Sequence, residues 1–366
     1  MTSLGEMIRW RSGVVVSLDE SWPGATELTA TVDGEGRVRA LAYDQVVGRP
    51  EVGDRVLLNT SALALGLGTG GYAMVVALPD RLPADPQPAP GHLVKSRYTP
   101  LQTTVLGIDE QESPSHQALK DADDLAGMPV VVADLHSALP AVMAGIRYDQ
   151  PETRVAYVMT DGGSLPLWYS RSVAALRTTG WLSCVVTVGQ AYGGDAEAVT
   201  LHTGLLAARK VYNADVAVVA QGPGNLGSGT RWGFSGVACG EAVNATSVLG
   251  GRCVASLRIS QADRRDRHYG ISHHSLTAYG RVALVPADVV VPALEGEIAI
   301  RVAEQLAGLA RHRIVTVQVN GLLEALRSSP VALSTMGRGL ADDPAYFLAA
   351  AAAGRHAAAL LGQAMQ

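Results

Sequence analysis

The residues best suited to chemistry in this 366-residue chain are four histidines. His136 follows the apolar run Val130-Val131-Val132-Ala133. His268, His273 and His274 fall within Asp263-Arg264-Arg265-Asp266-Arg267-His268-Tyr269-Gly270-Ile271-Ser272-His273-His274-Ser275. Imidazole titrates near neutrality without help, so such residues can serve as general acid and base. His136 paired with His273 or His274 is the candidate acid–base couple. Asp161, in Thr160-Asp161-Gly162-Gly163-Ser164, is a candidate to orient the substrate or a histidine; it reads equally as a turn-forming Asp before two glycines. Arg267, with His268 beside it, could clamp a carboxylate or phosphate. The charge run 263–267 is otherwise a solvated loop.

A second group of candidates is backbone-based. Gln221-Gly222-Pro223-Gly224-Asn225-Leu226-Gly227-Ser228-Gly229-Thr230 leaves an apolar run and precedes a small-residue helix. Backbone N–H groups in such a loop suit an anion. The candidate contacts are Gly222, Gly224, Asn225, Gly227, Ser228 and Thr230, with Ser137, Gly162 and Gly163 from neighbouring loops. The competing reason for these glycines is close packing of helix on sheet. The loop lacks the Gly-Lys-Ser/Thr of a nucleotide-binding loop and the spacing of the dinucleotide fingerprint, so no cofactor follows from it. No HExxH or completed carboxylate cluster assigns a metal. A metal-dependent hydrolase on His136, His273, His274 and Asp161 is nonetheless a third option. Ser164 lacks the Gly-x-Ser-x-Gly setting of a nucleophile elbow.

The elements that must position these residues are legible in outline. Residues 1–80 show short Val/Leu/Thr runs separated by turn signals such as Asp33-Gly34 and Val52-Gly53-Asp54, which predicts a small all-β, barrel-like domain. The glycine-rich stretch 65–72 within it predicts a bulge and hairpin. Five prolines between 79 and 91 predict a linker, placed at 81–100. From 101 to 366 apolar runs near 130–133, 155–159, 184–188, 216–220, 253–259, 314–319 and 331–334 alternate with helical stretches. Asp195 is the expected N-cap of one helix, and Asp342-Asp343-Pro344 opens the last. This is the pattern of an α/β, doubly wound, mostly parallel sheet of Rossmann-like type. Ligands of such sheets bind at the carboxyl ends of the strands, where the loops 134–137, 160–164, 222–230 and 263–275 are all expected.

Composition narrows the rest. Hydrophobic residues make up 48% and charged residues 17%, which excludes a disordered chain. The net charge of −5 argues against a nucleic-acid partner. Lys95, Lys120 and Lys210 are the only lysines. Cys184, Cys239 and Cys253 are odd in number and sit in apolar runs, as buried free thiols of a reducing compartment do. There is no signal-peptide pattern and no apolar run of membrane length, so the cytoplasm is expected, without a membrane partner. The apolar C-terminal helix, about 344–361, carries few charges, which predicts a homodimer or higher homo-oligomer.

The phrase 53–72, His136-Ser137, Gly222-Pro223-Gly224 and the segment 267–275 together resemble a bacterial family catalogued as domain of unknown function 3866, over nearly the whole chain. The resemblance implies a soluble bacterial protein and transfers no activity. The residues themselves favour an enzyme acting on a small polar or anionic metabolite, phosphorylated metabolites included, by histidine acid–base chemistry at the carboxyl edge of the sheet. The rival is a non-catalytic metabolite-binding or regulatory protein using the same cleft.

Overall fold

The computed structural model describes residues 8–67 and 70–363. Two compact units divide the chain, Met1–Ala89 with Ser96–Thr103, and Pro90–Lys95 with Thr104–Gln366.

The first unit is built on a closed five-stranded barrel. Its strands lie in the order Trp10–Trp22, Ala25–Val32, Gly36–Tyr43, Ala73–Ala77 and Arg55–Asn59. Alternation of side chains fills the interior with Val15, Leu28, Ala30, Val56, Leu58 and Val75. Closure removes the free edges that a short open sheet would expose. The turn at Asp33-Gly34 needs its glycine, which sits at φ 76°. Of the expected hairpin at 65–72, residues 68 and 69 lie outside the described residues.

The second unit carries an eight-stranded sheet in which every neighbouring pair is parallel. The order across the sheet is Ala196–Ala198, Cys184–Val188, Val155–Thr160, Val216–Gln221, Pro129–Val132, Arg252–Ser256, Asp288–Pro292 and Arg313–Val317. Helices cover both faces, as the doubly wound expectation requires. Ala238–Val248 and Leu201–Lys210 pack into one core with Glu297–Gln305, and Leu139–Asp149, Arg171–Thr178 and Leu322–Arg327 into the other. That double coverage explains the uninterrupted apolar runs: Val130, Val131 and Val132 are all fully buried.

Several local expectations are corrected. Asp195 caps no helix: a short edge strand, Ala196–Ala198, follows it. The helix begins at Leu201 and is capped by Thr200, whose side chain accepts from the Thr203 N–H. The run 331–334 adds no strand to the large sheet; Ser334–Thr335 pairs only with Arg338–Gly339. The glycine loop does not lead directly into a helix. A 3-10 turn, Ser235–Val237, intervenes and the helix starts at Ala238.

The last helix, Pro344–Gln363, crosses Leu139–Asp149 at unusually close range. A Cβ on Gly145 would lie 1.9 Å from the Ala351 carbonyl oxygen, and one on Gly354 would lie 2.0 Å from that of Val142. Ala349 to Ala353 are buried there. The apolar faces that suggested assembly are thus covered within the chain. All three cysteines are free and buried. No helix among the described residues is long and apolar enough to cross a membrane.

Candidate functional site

The four central strands, Val155–Thr160, Val216–Gln221, Pro129–Val132 and Arg252–Ser256, are consecutive neighbours. Their carboxyl ends launch the segments 161–166, 222–234, 133–137 and 257–272. The strand order therefore places the four candidate loops side by side along one edge. It is also where the chain reverses its direction of travel across the sheet, the position at which such folds open a crevice.

The histidine cluster is assembled by the last of these segments. Ile259–Ser260 pairs antiparallel with Gly270–Ile271 and closes a neck below residues 261–269. Gly270 makes the return at φ 75°. His268 ends a 3-10 turn, Asp266–His268, and His273 and His274 open the helix His273–Thr277. Ser272 ties the two parts together: its Oγ accepts from the His274 N–H and lies 2.7 Å from His268 Nδ1. The ring centroids are 4.9 Å apart for His268 and His273, 5.0 Å for His268 and His274, and 4.3 Å for His273 and His274. Phe234, delivered by the loop that follows Val216–Gln221, stacks on His274 at 3.9 Å and 3°. The Nε2 atom of His273 is buried and has no hydrogen-bond partner.

Burial, reinforced by nearby arginines, pushes His268 and His274 down to about 3 and lowers His273 as well. Arg258, which acts on all three, is 4% exposed, with Nη1 3.5 Å from His274 Nδ1; Arg267 acts more strongly on His273. Among the described residues no carboxylate lies within ion-pair distance of Arg258. Asp134, whose charge Arg258 feels, is buried with Oδ2 unpartnered, and burial raises its carboxyl above the ordinary range.

Beside the cluster is a cavity of about 540 Å³. His273, Thr277, Leu276, Arg231 and Arg281 line it. Arg231 and Arg281 are both exposed and, among the described residues, neither pairs with a carboxylate. The volume suits a small metabolite.

The remaining predicted residues lie elsewhere along the edge. His136 is saturated. The Tyr157 hydroxyl donates to the Gln221 carbonyl at 3.0 Å, so it accepts from His136 Nδ1–H at 3.0 Å; Nε2 then accepts from the Ser170 hydroxyl at 2.7 Å. Burial lowers His136 to about 4, and no nitrogen is free to join the other three histidines. Ser137 bonds Tyr346 and Thr335. Asp161 is exposed and accepts from the Gln190 N–H. Gly163 and Gly222 allow the 160–164 and 221–225 loops to touch: a Cβ on Gly163 would lie 2.2 Å from the Gly222 carbonyl oxygen. A Cβ on Gly162 would lie 2.5 Å from Gln221 Oε1. Gly224, at φ 90°, makes the turn, and Asn225 accepts from Gln221 and Ser235. Gly227, Ser228 and Thr230 form an exposed loop bonded mainly to itself, and Arg267 lies near Gly229.

The sequence reading missed Arg258, Phe234, Arg231 and Arg281. A lone charge between Leu257 and Ile259 was the available signal for Arg258. The other three acquire meaning only once the 222–234 loop and the His273 helix are placed together.

A search of the curated proteins finds no match to this chain. Residues 39–354 match the model of a family described as Protein of unknown function (DUF3866), and the chain belongs to that family.

Proposed function

We propose that the protein is an enzyme acting on a small anionic metabolite at the carboxyl edge of the parallel sheet, with the histidine cluster as its reactive group. The observation that carries this reading is the cavity of about 540 Å³ that has His273 in its wall and two guanidinium groups, Arg231 and Arg281, without acidic partners among the described residues. Guanidinium forks match carboxylate and phosphate oxygens, and fixed charges at a cavity rim both attract and orient an anion. His273 touches the bound molecule; His268 and His274 act behind it. His136 has a different part. It locks Tyr157 and Ser170, and through them the 221 carbonyl and the start of the helix Arg171–Thr178.

The test is a panel of phosphate monoesters, nucleosides, nucleotides and small carboxylates, followed by turnover and by binding. Arg231→Ala and Arg281→Ala should each raise KM about tenfold or more, the loss of one charge-assisted contact. His273→Ala should lower kcat. Binding that depends on both arginines without turnover would replace the enzyme by a non-catalytic metabolite-binding protein. A panel in which no anion binds would overturn the reading altogether.

A further inference from the structure

We infer that His268, His273 and His274 form a mononuclear site for a divalent transition metal of the zinc class, with a coordination position left for water or an anion. One ligand-capable atom of each residue lies within 4.8 Å of the others. Three nitrogens on a tetrahedral zinc lie about 2.1 Å from the ion, hence about 3.4 Å from one another. The centroid of each ring is then about 3.2 Å from the ion, and the centroids are about 5.2 Å apart. The observed centroid separations, 4.3 to 5.0 Å, approach that figure on all three sides of the triangle. The nitrogens, up to 4.8 Å apart, must close by up to about 1.4 Å through rotation of the rings when an ion binds.

The chemistry of the donors agrees. Metals bind neutral imidazole through a nitrogen whose ring partner is held by a second hydrogen bond. His268 has that support: Nδ1 faces Ser272 Oγ at 2.7 Å, so Nε2 is the ligand. His273 Nε2 is a buried polar atom with nothing to bond, a costly arrangement that an ion would relieve. Arg258 does not fix the His274 tautomer, because 3.5 Å is the outer limit of a hydrogen bond. Phe234 stacked on His274 fixes the plane of that ring and keeps water from one side. Three imidazoles with one open position are the donor set of hydrolytic and hydrating zinc sites, whereas structural sites close with four protein ligands. The three-residue group contains no carboxylate, and the nearby Asp263, which acts on His268, is ion-paired with Arg265. Arg258 adds positive charge beside the ion, so the fourth ligand is an anion. A carboxylate, a phosphate or a hydroxide fits that place.

The set differs from the one the sequence suggested. His136 has both nitrogens engaged, and Asp161 bonds Gln190, so neither joins the cluster.

The inference is tested on the full chain prepared without a histidine tag, stripped with chelator and titrated with Zn2+ and Co2+. One ion per chain is expected. Bound Co2+ should show the intense visible bands of four-coordinate geometry. His273→Ala and His268→Ala should each weaken binding about 100-fold, and Ser272→Ala, which keeps all three ligands, about tenfold. The exposed His202→Ala serves as the control and should bind like the parent. Circular dichroism identifies any variant that fails to fold; for such a variant the unaltered chain decides by stoichiometry and Co2+ spectrum alone. Absence of stoichiometric binding in the unaltered chain overturns the site, as does undiminished binding in folded His268→Ala and His273→Ala variants. Metal binding without turnover leaves this site standing and removes the enzyme. Turnover by a chain that binds no metal does the reverse.

Discussion

Substitution of Gly145 by alanine adds one methyl group at the tightest helix crossing in the larger unit. The added Cβ would lie 1.9 Å from the Ala351 carbonyl oxygen, about 1.5 Å short of ordinary contact at 3.4 Å. The clash is with backbone, so no rotamer relieves it; the helix Pro344–Gln363 must move away from Leu139–Asp149. That movement opens gaps along Ala350 to Ala353, which are at most 1% exposed. Overpacking costs about 1–3 kcal/mol, and the opened gaps add to it. Alanine returns up to about 1 kcal/mol of helix propensity. A net loss of about 2–4 kcal/mol follows for Gly145→Ala, and a similar loss for Gly354→Ala. The internal control is Gly362→Ala in the same helix, where a new Cβ meets nothing within 4 Å. That variant should be unchanged or gain up to about 1 kcal/mol. The double variant Gly145→Ala/Gly354→Ala should lose less than the sum of the two, since a helix displaced by one methyl already makes room for the other. Guanidinium unfolding curves followed by far-UV circular dichroism measure all four. Equal stability of Gly145→Ala and Gly362→Ala would refute the argument, as would strict additivity in the double variant.

His136 is held neutral in the fold at about 4, below its unfolded value near 6.5. Its contribution to stability is full above that unfolded value and is lost as pH falls from 6.5 to 4, with a slope of at most about 1.4 kcal/mol per pH unit. His136→Asn should lower stability at pH 7 and flatten that slope, checked by unfolding at a series of pH values. Lys95 is 2% exposed, donates to the carbonyls of Gly189, Ala191 and Ala198, and lies 3.4 Å from Glu197. Lys95→Met strands that carboxylate and should cost about 3–5 kcal/mol, whereas Lys95→Met with Glu197→Gln should cost less, as denaturation midpoints will show. Burial raises the Cys184 thiol to about 12 and Cys239 and Cys253 further. A thiol reagent at pH 8 should therefore titrate none of the three in the folded chain and all three in guanidinium.

The strands hidden on both faces were the most legible elements, because a run such as Val130-Val131-Val132 has no polar face to offer water. Asp288–Pro292 was not read as a strand, since Pro286 and Pro292 bracket it and imitate a loop. The edge strand Ala196–Ala198 was taken into a helix because alanine suits either state and Asp195 resembles a cap. Strand order could not be read from the sequence at all: nothing local to Val216–Gln221 announces that it lies between two strands made much earlier. The same limit governs the site. His268, His273 and His274 are close in sequence, so their grouping was visible. What saturates His136 is Tyr157 and Ser170, 21 and 34 residues away, and no spacing rule connects them. Arg258 was passed over because its importance lies in what it lacks, a carboxylate partner, and that is a property of the folded surroundings.

The place of Val216–Gln221 between Val155–Thr160 and Pro129–Val132 also bears on how the chain is made. The first two strands of the large sheet to leave the ribosome are not partners. Each must wait for the one that fills the gap, and 55 residues separate Thr160 from Val216. At translation rates of about 5–20 residues per second, two apolar strand edges stand open for roughly 3–11 s. Unpaired valine-rich edges are templates for wrong pairing with neighbouring chains. The edge that carries the candidate site is thus incomplete until Val216–Gln221 has been made, and nascent chains interrupted before residue 216 hold the histidine at 136 without the carbonyl that locks its Tyr157 partner.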